Sequence, residues 1–461
     1  MWIFLTQKVN SLTLEKQRLF SNQMLVKLVV PLIIEQALSI LVGMCDGVMV
    51  SSAGEAAISG VSLVDMINNL IFKLFAALAT GGAVVTSQYL GARKYPEARR
   101  SSGQLVLMAA GFGVAVMVLC LIFSRHLMML FFGSISDDVM EAGLIYFHIT
   151  ALSFPFIALY NAGAAIFRSI GNSKVSMKVS IIMNLVNVAG NAICIYGFKM
   201  GVVGVALPTL LSRVLAAFLI LYLVTKSDSE VSLRWKNVRS MELGMMKNIL
   251  RIGIPSACEN GLFELGRILV VSMISLFGTS QTSANAVANN LDSVGVMIGQ
   301  AMNLAMITVV GQCVGAKDAE QVKYYRNKLM LVVYVVQGIW NLLLCAFLPQ
   351  LIGLYSSLSP ETEKLATQLV LIHSLFGIVL WPVAFVLPNA LRAANDARFT
   401  MIVGIASMFC WRISLSYLLC VHMEMGALGV WIAMVVDWIC RSSFFIGRTV
   451  SGKWKKKCGL A

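Results

Sequence analysis

A chain of 461 residues that is 58% hydrophobic and only 13% charged lacks the polar surface that a soluble globule of this size requires, so its solvent is expected to be the bilayer. The formal net charge of +14 would suit a nucleic-acid partner if it were clustered, but it is spread over alternate loops, which makes it a topology signal. The ten cysteines stand singly, without a CxxC or Cys/His cluster, which argues against a disulfide framework and against a zinc site.

Residues 1–23 have neither the long apolar core nor the small-residue cleavage site of a secretory signal and read as a short, partly amphipathic cytoplasmic leader. Apolar stretches then follow at 24–50, 57–84, 103–124, 139–167, 175–197, 201–225, 246–276, 284–310, 328–348, 364–391, 398–420 and 426–447. Each is long enough, at about 20 residues or more, to cross the hydrocarbon core as a helix. The expected fold class is therefore an all-α membrane protein with twelve transmembrane helices.

The loops on one side carry Lys8, Lys16, Arg18 and Lys27; Arg93, Lys94, Arg99 and Arg100; Arg168, Lys174 and Lys178; and Lys226, Arg234, Lys236, Arg239, Lys247 and Arg251. The series continues with Lys317, Lys323, Arg326 and Lys328, then Arg392 and Arg398, then Arg441, Arg448 and Lys453 to Lys457. The other side holds Arg125, Lys199 and Lys364 against Asp137, Asp138, Glu361, Glu363 and Glu424. The positive-inside rule places both termini in the cytoplasm. Lys455 to Lys457 read as a topology anchor or as a contact with anionic lipid.

The chain is internally duplicated. At an offset of 224, Pro31 falls on Pro255, Glu35 on Glu259, Gly54 on Gly278, Gln88 on Gln312, Gly91 on Gly315 and Ala92 on Ala316. With a drift of a residue or so, Arg168 meets Arg392, Asn172 meets Asn395, Gly201 meets Gly426 and Gly204 meets Gly429. Six helices per copy is an even number, so both copies enter the membrane in the same direction, as parallel-repeat lobes facing a central cavity. The expected organisation is a leader at 1–23, a first lobe at 24–225, a basic linker at 226–245, a second lobe at 246–448 and a basic tail at 449–461.

An ionisable side chain at mid-bilayer costs roughly 2.5 to 3.5 kcal/mol on insertion scales, which makes each one a functional candidate. These are Glu35, Asp46, Asp65, Lys73, Arg213, Glu259, Glu264, Arg267, Asp292, Arg412 and Asp437. Asp46 has no counterpart in the second copy, where the offset gives Val270. It reads as a cation-coupling acid or as an outer-interface charge reaching for water. Asn184, Asn187 and Asn191 share one helix face and are expected either to complete a polar pocket around Asp46 or to tie helices together. Glu35 and Glu259 stand at equivalent places, which suggests a shared task such as holding a neighbouring helix. Glu264 is placed to pair with Arg267, three residues on. Arg412 and Asp437 are expected to pair within the second lobe and make it the more static one. Pro208, Pro382 and Pro388 interrupt their helices and are gating or merely structural bends. The 26 methionines and aromatics such as Phe154, Trp381, Phe385 and Trp411 offer adaptable apolar surface, mostly core or lipid-facing.

From about 24 to 448 the sequence resembles the multidrug and toxic compound extrusion (MATE) family of transporters. The resemblance is carried by Met44-Cys45-Asp46-Gly47 leading to Gly54, by Gln88 to Ala92 and Gln312 to Ala316 at the ends of helices two and eight, and by Leu391 to Asp396 after helix ten. It implies that Asp46 binds the coupling cation, with Asn187 and Asn191 as partners. Some members have aspartate where this chain has Asn191, and an amide takes up no proton. Relatives with a second-lobe cation site use acids in helices seven and eight, which makes Glu259, Glu264 and Asp292 the candidates there. The function so implied is export of small, often cationic and aromatic drug-like compounds from bacterial cells across the inner membrane, by exchange for H⁺ or Na⁺. No ATP is implied, and there is no GxxxxGK[ST] phosphate loop. Neither a cofactor nor a metal is expected beyond a possible Na⁺ at Asp46, and neither is a nucleic-acid partner; a monomer in contact with membrane lipid is.

The alternative is a lipid-linked precursor flippase or polysaccharide exporter of the same superfamily. Such relatives often have fourteen helices and several cations lining the cavity, whereas Lys73, Arg213, Arg267 and Arg412 are the intramembrane bases here. An enzyme would need clustered acids, histidines or a nucleophile pair. His126, His148, His373 and His422 lie far apart in sequence, near outer helix ends, and form no motif.

Overall fold

The computed structural model describes residues 18–51, 54–133, 135–226, 231–234, 238, 240–355 and 358–460. Lys8, Lys16, Lys236 and Arg239, with most of the expected leader and part of the expected linker, lie outside them. In lipid, backbone groups must be satisfied within the chain, and the apolar stretches accordingly form helices. The first lobe holds α1 (Asn22–Ser51), α2 (Glu55–Gly91), α3 (Tyr95–Phe132), α4 (Asp137–Ala151), α5 (Phe154–Ser169), α6 (Ser173–Gly197) and α7 (Val203–Lys226). The second holds α8 (Leu243–Ser275), α9 (Thr279–Gly315), α10 (Ala319–Ala346), α11 (Pro360–Ala393), α12 (Ala397–His422) and α13 (Gly426–Val450). The all-helical, two-lobed class is as expected.

By length and composition ten of these helices are able to cross a membrane, and α4 with α5, bent by 47° at their junction, make eleven among the described residues. Helix α8 is 33 residues long but carries Lys247, Arg251, Glu259, Glu264 and Arg267, which leave it less apolar than the rest. Pro382 does not end α11. It opens a π-helical turn, Pro382–Val386, after which the helix resumes to Ala393. A missing donor and a displaced carbonyl are absorbed by one wider turn. Pro208 lies inside α7 without a break.

The duplication extends to backbone conformation. Left-handed residues recur in pairs: Arg93 and Lys317 at φ 57° and 54°, Lys199 and Glu424 at 52° and 55°, and Gly171 and Asn395 at 77° and 63°. A non-glycine residue pays about 1–2 kcal/mol for this conformation, so its repetition marks turns that both lobes require. The last pair also corrects the alignment by one residue: Asn395 corresponds to Gly171, not to Asn172.

The two apolar cores are not divided cleanly by sequence. Leu25, Leu28 and Leu32 of α1 pack in the second lobe's core, while Met49 and Val50 at the far end of the same helix pack in the first. Helix α8 mirrors this, with Met245, Ile249 and Ile252 in the first lobe's core and Val270 and Ile274 in its own. The exchange lies on the face where α1 and α8 begin, here called the basic face. There the Gln88 amide donates to Ala393 O (2.8 Å) and Asn395 Oδ1 (3.1 Å), and the Gln312 amide donates to Ser169 O (2.6 Å). Gly91 and Gly315 allow this approach, because a Cβ on either would collide with the backbone of Gln312 or Gln88. The segment before α1 is strapped to α10: Phe20 N–H donates to the Tyr325 hydroxyl (2.9 Å), which donates to Phe20 O (2.7 Å). The lobes are therefore closed on each other at the basic face.

Candidate functional site

Asp46 lies toward the distal end of α1, half-buried, where α6 passes it. Asn191 Nδ2 donates to Asp46 Oδ1 at 2.8 Å, Asn187 Oδ1 lies 3.5 Å from the same amide, and Asn187 Nδ2 donates to Thr209 Oγ1 of α7 at 3.0 Å. Of the three asparagines, Asn191 contacts Asp46 directly and Asn187 reaches it only through Asn191. Asn184 stays apart, 3.5 Å from Ser180 on its own helix.

Three further residues complete the cluster, and reading the sequence did not find their roles. Asp65 of α2 accepts from the Tyr146 hydroxyl (3.1 Å) and from Asn68 Nδ2 (3.4 Å). Arg213 of α7 donates to Ser153 Oγ (2.7 Å) and lies 4.6 Å over the Phe72 ring. Asp46 lies within electrostatic range of both Asp65 and Arg213. Two carboxylates and one guanidinium sum to one negative charge when all are ionised, which leaves room for one bound cation. Asp65 and Arg213 were visible as intramembrane charges, but no spacing rule joins α2, α4 and α7.

The second-lobe acids are arranged differently. Glu259 accepts from Arg392 Nη2 at 2.6 Å, and Arg392 Nη1 donates to Asn389 (2.7 Å). Glu264 pairs with Arg267 at 3.3 Å, as expected. Asp292 lies against the ring of His373, its Oδ1 2.5 Å from Nε2. The expected Arg412–Asp437 pair is not formed. Asp437 Oδ1 takes Arg441 Nε at 3.0 Å, four residues along α13, together with the Ser407 hydroxyl. Arg412 instead stacks 5.6 Å over Phe263, its Nε without a partner. The i,i+4 spacing of Asp437 and Arg441 is legible in the sequence, but there Arg441 reads as a loop charge, whereas it is buried inside the lobe.

Glu35 accepts from Ser176 (3.0 Å) and Tyr160 (3.3 Å) and lies 3.7 Å from Arg168. This is the first-lobe twin of the Glu259–Arg392 pair: each glutamate contacts an arginine of a neighbouring helix. Glu35 and Arg168 also line a cavity of about 180 Å³ that Leu304, Ile307 and Thr308 of α9 close from the second lobe. Among the membrane-embedded acids of the described residues, then, Asp46 and Asp65 are the ones with no Arg, Lys or His within 4.0 Å.

Two lobes of one helical design, with ten or eleven candidate membrane spans among the described residues and a charged cluster in the first lobe, define a polytopic membrane protein. The chain belongs to the MatE family: the family model matches residues 31–193 and 255–418, once in each lobe. Over 439 residues the chain is 28% identical to the uncharacterized transporter YisQ of Bacillus subtilis, covering 94% of each chain. Over 443 residues it is 25% identical to a probable multidrug resistance protein, NorM, of Thermotoga maritima, covering 95% of this chain and 94% of that one. A solved structure described as the outward-facing conformation of a multidrug resistance MATE family transporter of the MOP superfamily matches with a TM-score of 0.87 at 22% identity, over 94% of this chain and 96% of that one. At that identity it speaks for the fold alone.

Proposed function

We propose that the chain exports small organic compounds, often cationic and aromatic, in exchange for H⁺ or Na⁺, with Asp46 as the acid that binds the coupling ion. One observation carries this: among the membrane-embedded acids of the described residues, Asp46 and Asp65 have no Arg, Lys or His within 4.0 Å, while each of the others has one. An unpaired carboxylate at membrane depth is costly unless it alternates between ion-bound and ion-free states. Asn187 and Asn191 orient Asp46, and Arg213 limits the cluster to one net negative charge. The names of the relatives support multidrug efflux.

The basic face is assigned to the cytoplasm by the positive-inside rule, with both termini on it, in the inner membrane of a bacterial cell. Helix α8 serves as the twelfth span, its charges covered by Arg392, by the Glu264–Arg267 pair and by contact with α2. The lobes run from 24 to 225 and from 246 to 448, the protein works as a monomer, and transport proceeds as the basic-face closure opens and the opposite face closes. The test is efflux of a fluorescent lipophilic cation from vesicles holding the wild-type protein, under imposed H⁺ or Na⁺ gradients. One gradient is expected to drive the dye; a broad dye panel that moves with neither sinks this reading and favours a flippase.

A further inference from the structure

We propose that the cavity between Glu35, Arg168 and the second lobe is a substrate site that takes a zwitterionic head, a carboxylate and an ammonium carried close together on one molecule. This names a substrate class, so its part in transport rests on the exporter reading, although binding itself does not. The cavity measures about 180 Å³. That is room for about six waters at ~30 Å³ each, and below the roughly 300 Å³ at which drug-sized pockets begin. It suits a polar head and not a whole substrate. Along its α2 wall Ala76 is exposed while Ala79 and Ala83 are buried, so it deepens toward the basic-face closure and leaves the rest of a larger molecule on the Ala76 side.

The duplicate lobe shows how the space arises. There Arg392 donates to Glu259 and to Asn389, and Asn389 Nδ2 donates to Asn303 Oδ1 at 3.0 Å, so the arginine is held from two sides and an amide bridge spans α11 and α9. At the offset of 224 both asparagines are alanines in the first lobe, Ala165 and Ala79, while Gln300 and Ile307 correspond to Ala76 and Ala83. Four larger side chains give way to four alanines beside an arginine that the frame keeps. Arg168 is 9% exposed and, among the described residues, its guanidinium donates no hydrogen bond; its one ionic neighbour there is Glu35 at 3.7 Å. Five N–H donors at a cavity wall, without an acceptor, call for ligand oxygens. Asn161 lines the same cavity where the second lobe has Phe385, and Gln36 stands beside Glu35. Neither amide is spent on a hydrogen bond with the described residues.

Charge selects the ligand. Glu35 and Arg168 sum to zero, so a lone carboxylate entering the cavity meets Glu35 and a lone ammonium meets Arg168, each at a cost in a buried place. A head with both charges pairs crosswise. Its carboxylate accepts from Arg168, its ammonium donates to Glu35 and to the Asn161 or Gln36 carbonyl, and the four charges still sum to zero. Glu35 keeps the hydroxyls of Ser176 and Tyr160, which hold it in place for the exchange. Leu304, Ile307 and Thr308 of α9 complete the wall from the second lobe, so the site is whole only while the lobes meet here.

The test is equilibrium binding to the full-length purified protein in detergent, which needs no ion gradient. The ligands are lysine carrying a dansyl group on its side-chain nitrogen, which leaves a zwitterionic head on an aromatic tail, its methyl ester, which is a cation, and its α-N-acetyl derivative, which is an anion. Wild type is expected to bind the zwitterion at least about tenfold more tightly than either derivative, the factor for one charge-assisted hydrogen bond. Arg168→Gln, which removes the charge, and Ala79→Leu, which fills the cavity and leaves every charge in place, are each expected to reduce that preference below about threefold. Asn184→Ala is expected to leave it unchanged. Equal or reversed affinities in wild type overturn the proposal, and so does a preference that survives in either variant. If Arg168→Gln does not fold, Ala79→Leu decides alone. Selective binding by a wild type that moves no dye under either gradient counts against the exporter reading and not against the site; dye transport without selective binding does the reverse.

Discussion

The two lobes share a frame and differ in their charges. In both, a glutamate on the first helix of the repeat meets an arginine at the end of the fourth span, a glutamine reaches across to the other lobe, and left-handed residues close the same turns. Yet the first lobe leaves Asp46 and Asp65 without a base while sparing Arg213, whereas the second gives Glu259, Glu264 and Asp437 each an arginine and Asp292 a histidine. Residues that duplication preserved are those the frame needs. Residues that diverged are where the chemistry lies, and an acid matched to a neighbouring arginine, as Glu259, Glu264 and Asp437 are, is a poor place for an ion that must come and go.

The widest effect on stability is expected from Arg392→Ala, which strands the buried Glu259 and should cost roughly 3–5 kcal/mol in detergent unfolding. Adding Glu259→Gln should restore part of that loss. Arg168→Ala is expected to cost less, since Glu35 retains Ser176 and Tyr160. If both arginine variants lose the same amount, the twin pairs are more alike than their distances of 2.6 and 3.7 Å suggest.

Closure at the basic face should break next. Gly91→Ala or Gly315→Ala forces a Cβ into the opposite lobe's backbone and is expected to shift the population toward separated basic ends, read as longer distances between spin labels there. Gln88→Ala and Gln312→Ala should shift it less, by about 0.5–1.5 kcal/mol for each hydrogen bond lost. Labels that stay close in all four variants would show that the closure does not depend on this contact.

Within the first lobe, Asn191→Ala removes a hydrogen bond to a charged group, a loss of about 1.5–3 kcal/mol, and is expected to slow ion-driven efflux. Asn184→Ala should change unfolding by no more than about 0.5 kcal/mol, because its amide contacts only Ser180 at 3.5 Å. An Asn184 variant as damaging as the Asn191 one would mean that the whole asparagine face serves the ion.

Much of this was legible in the sequence. The repeat and the helical class follow from period and offset; the residues alone leave open whether the α6 asparagines meet Asp46 or only tie helices, and it is the family resemblance that implies Asn187 and Asn191 as its partners. The Glu264–Arg267 pair follows from spacing along one helix. The Glu35 and Arg168 columns were each seen to match Glu259 and Arg392, but not that they touch, since matching by offset says nothing about contact between helices. The sequence pairs Asp437 with Arg412 because Arg441 reads as a loop charge near a helix end; in the fold Arg441 turns inward and is buried. His373 belongs to no sequence motif, because its neighbour Asp292 lies on another helix.

The central claim is that ion coupling resides at Asp46, and efflux of a lipophilic cation by reconstituted vesicles tests it most directly when Asp46→Asn is compared with Glu264→Gln under the gradient that drives wild type. The account expects Asp46→Asn to reduce gradient-driven efflux to the protein-free background while Glu264→Gln keeps it. Retained coupling in Asp46→Asn, or its loss in Glu264→Gln alone, would contradict it.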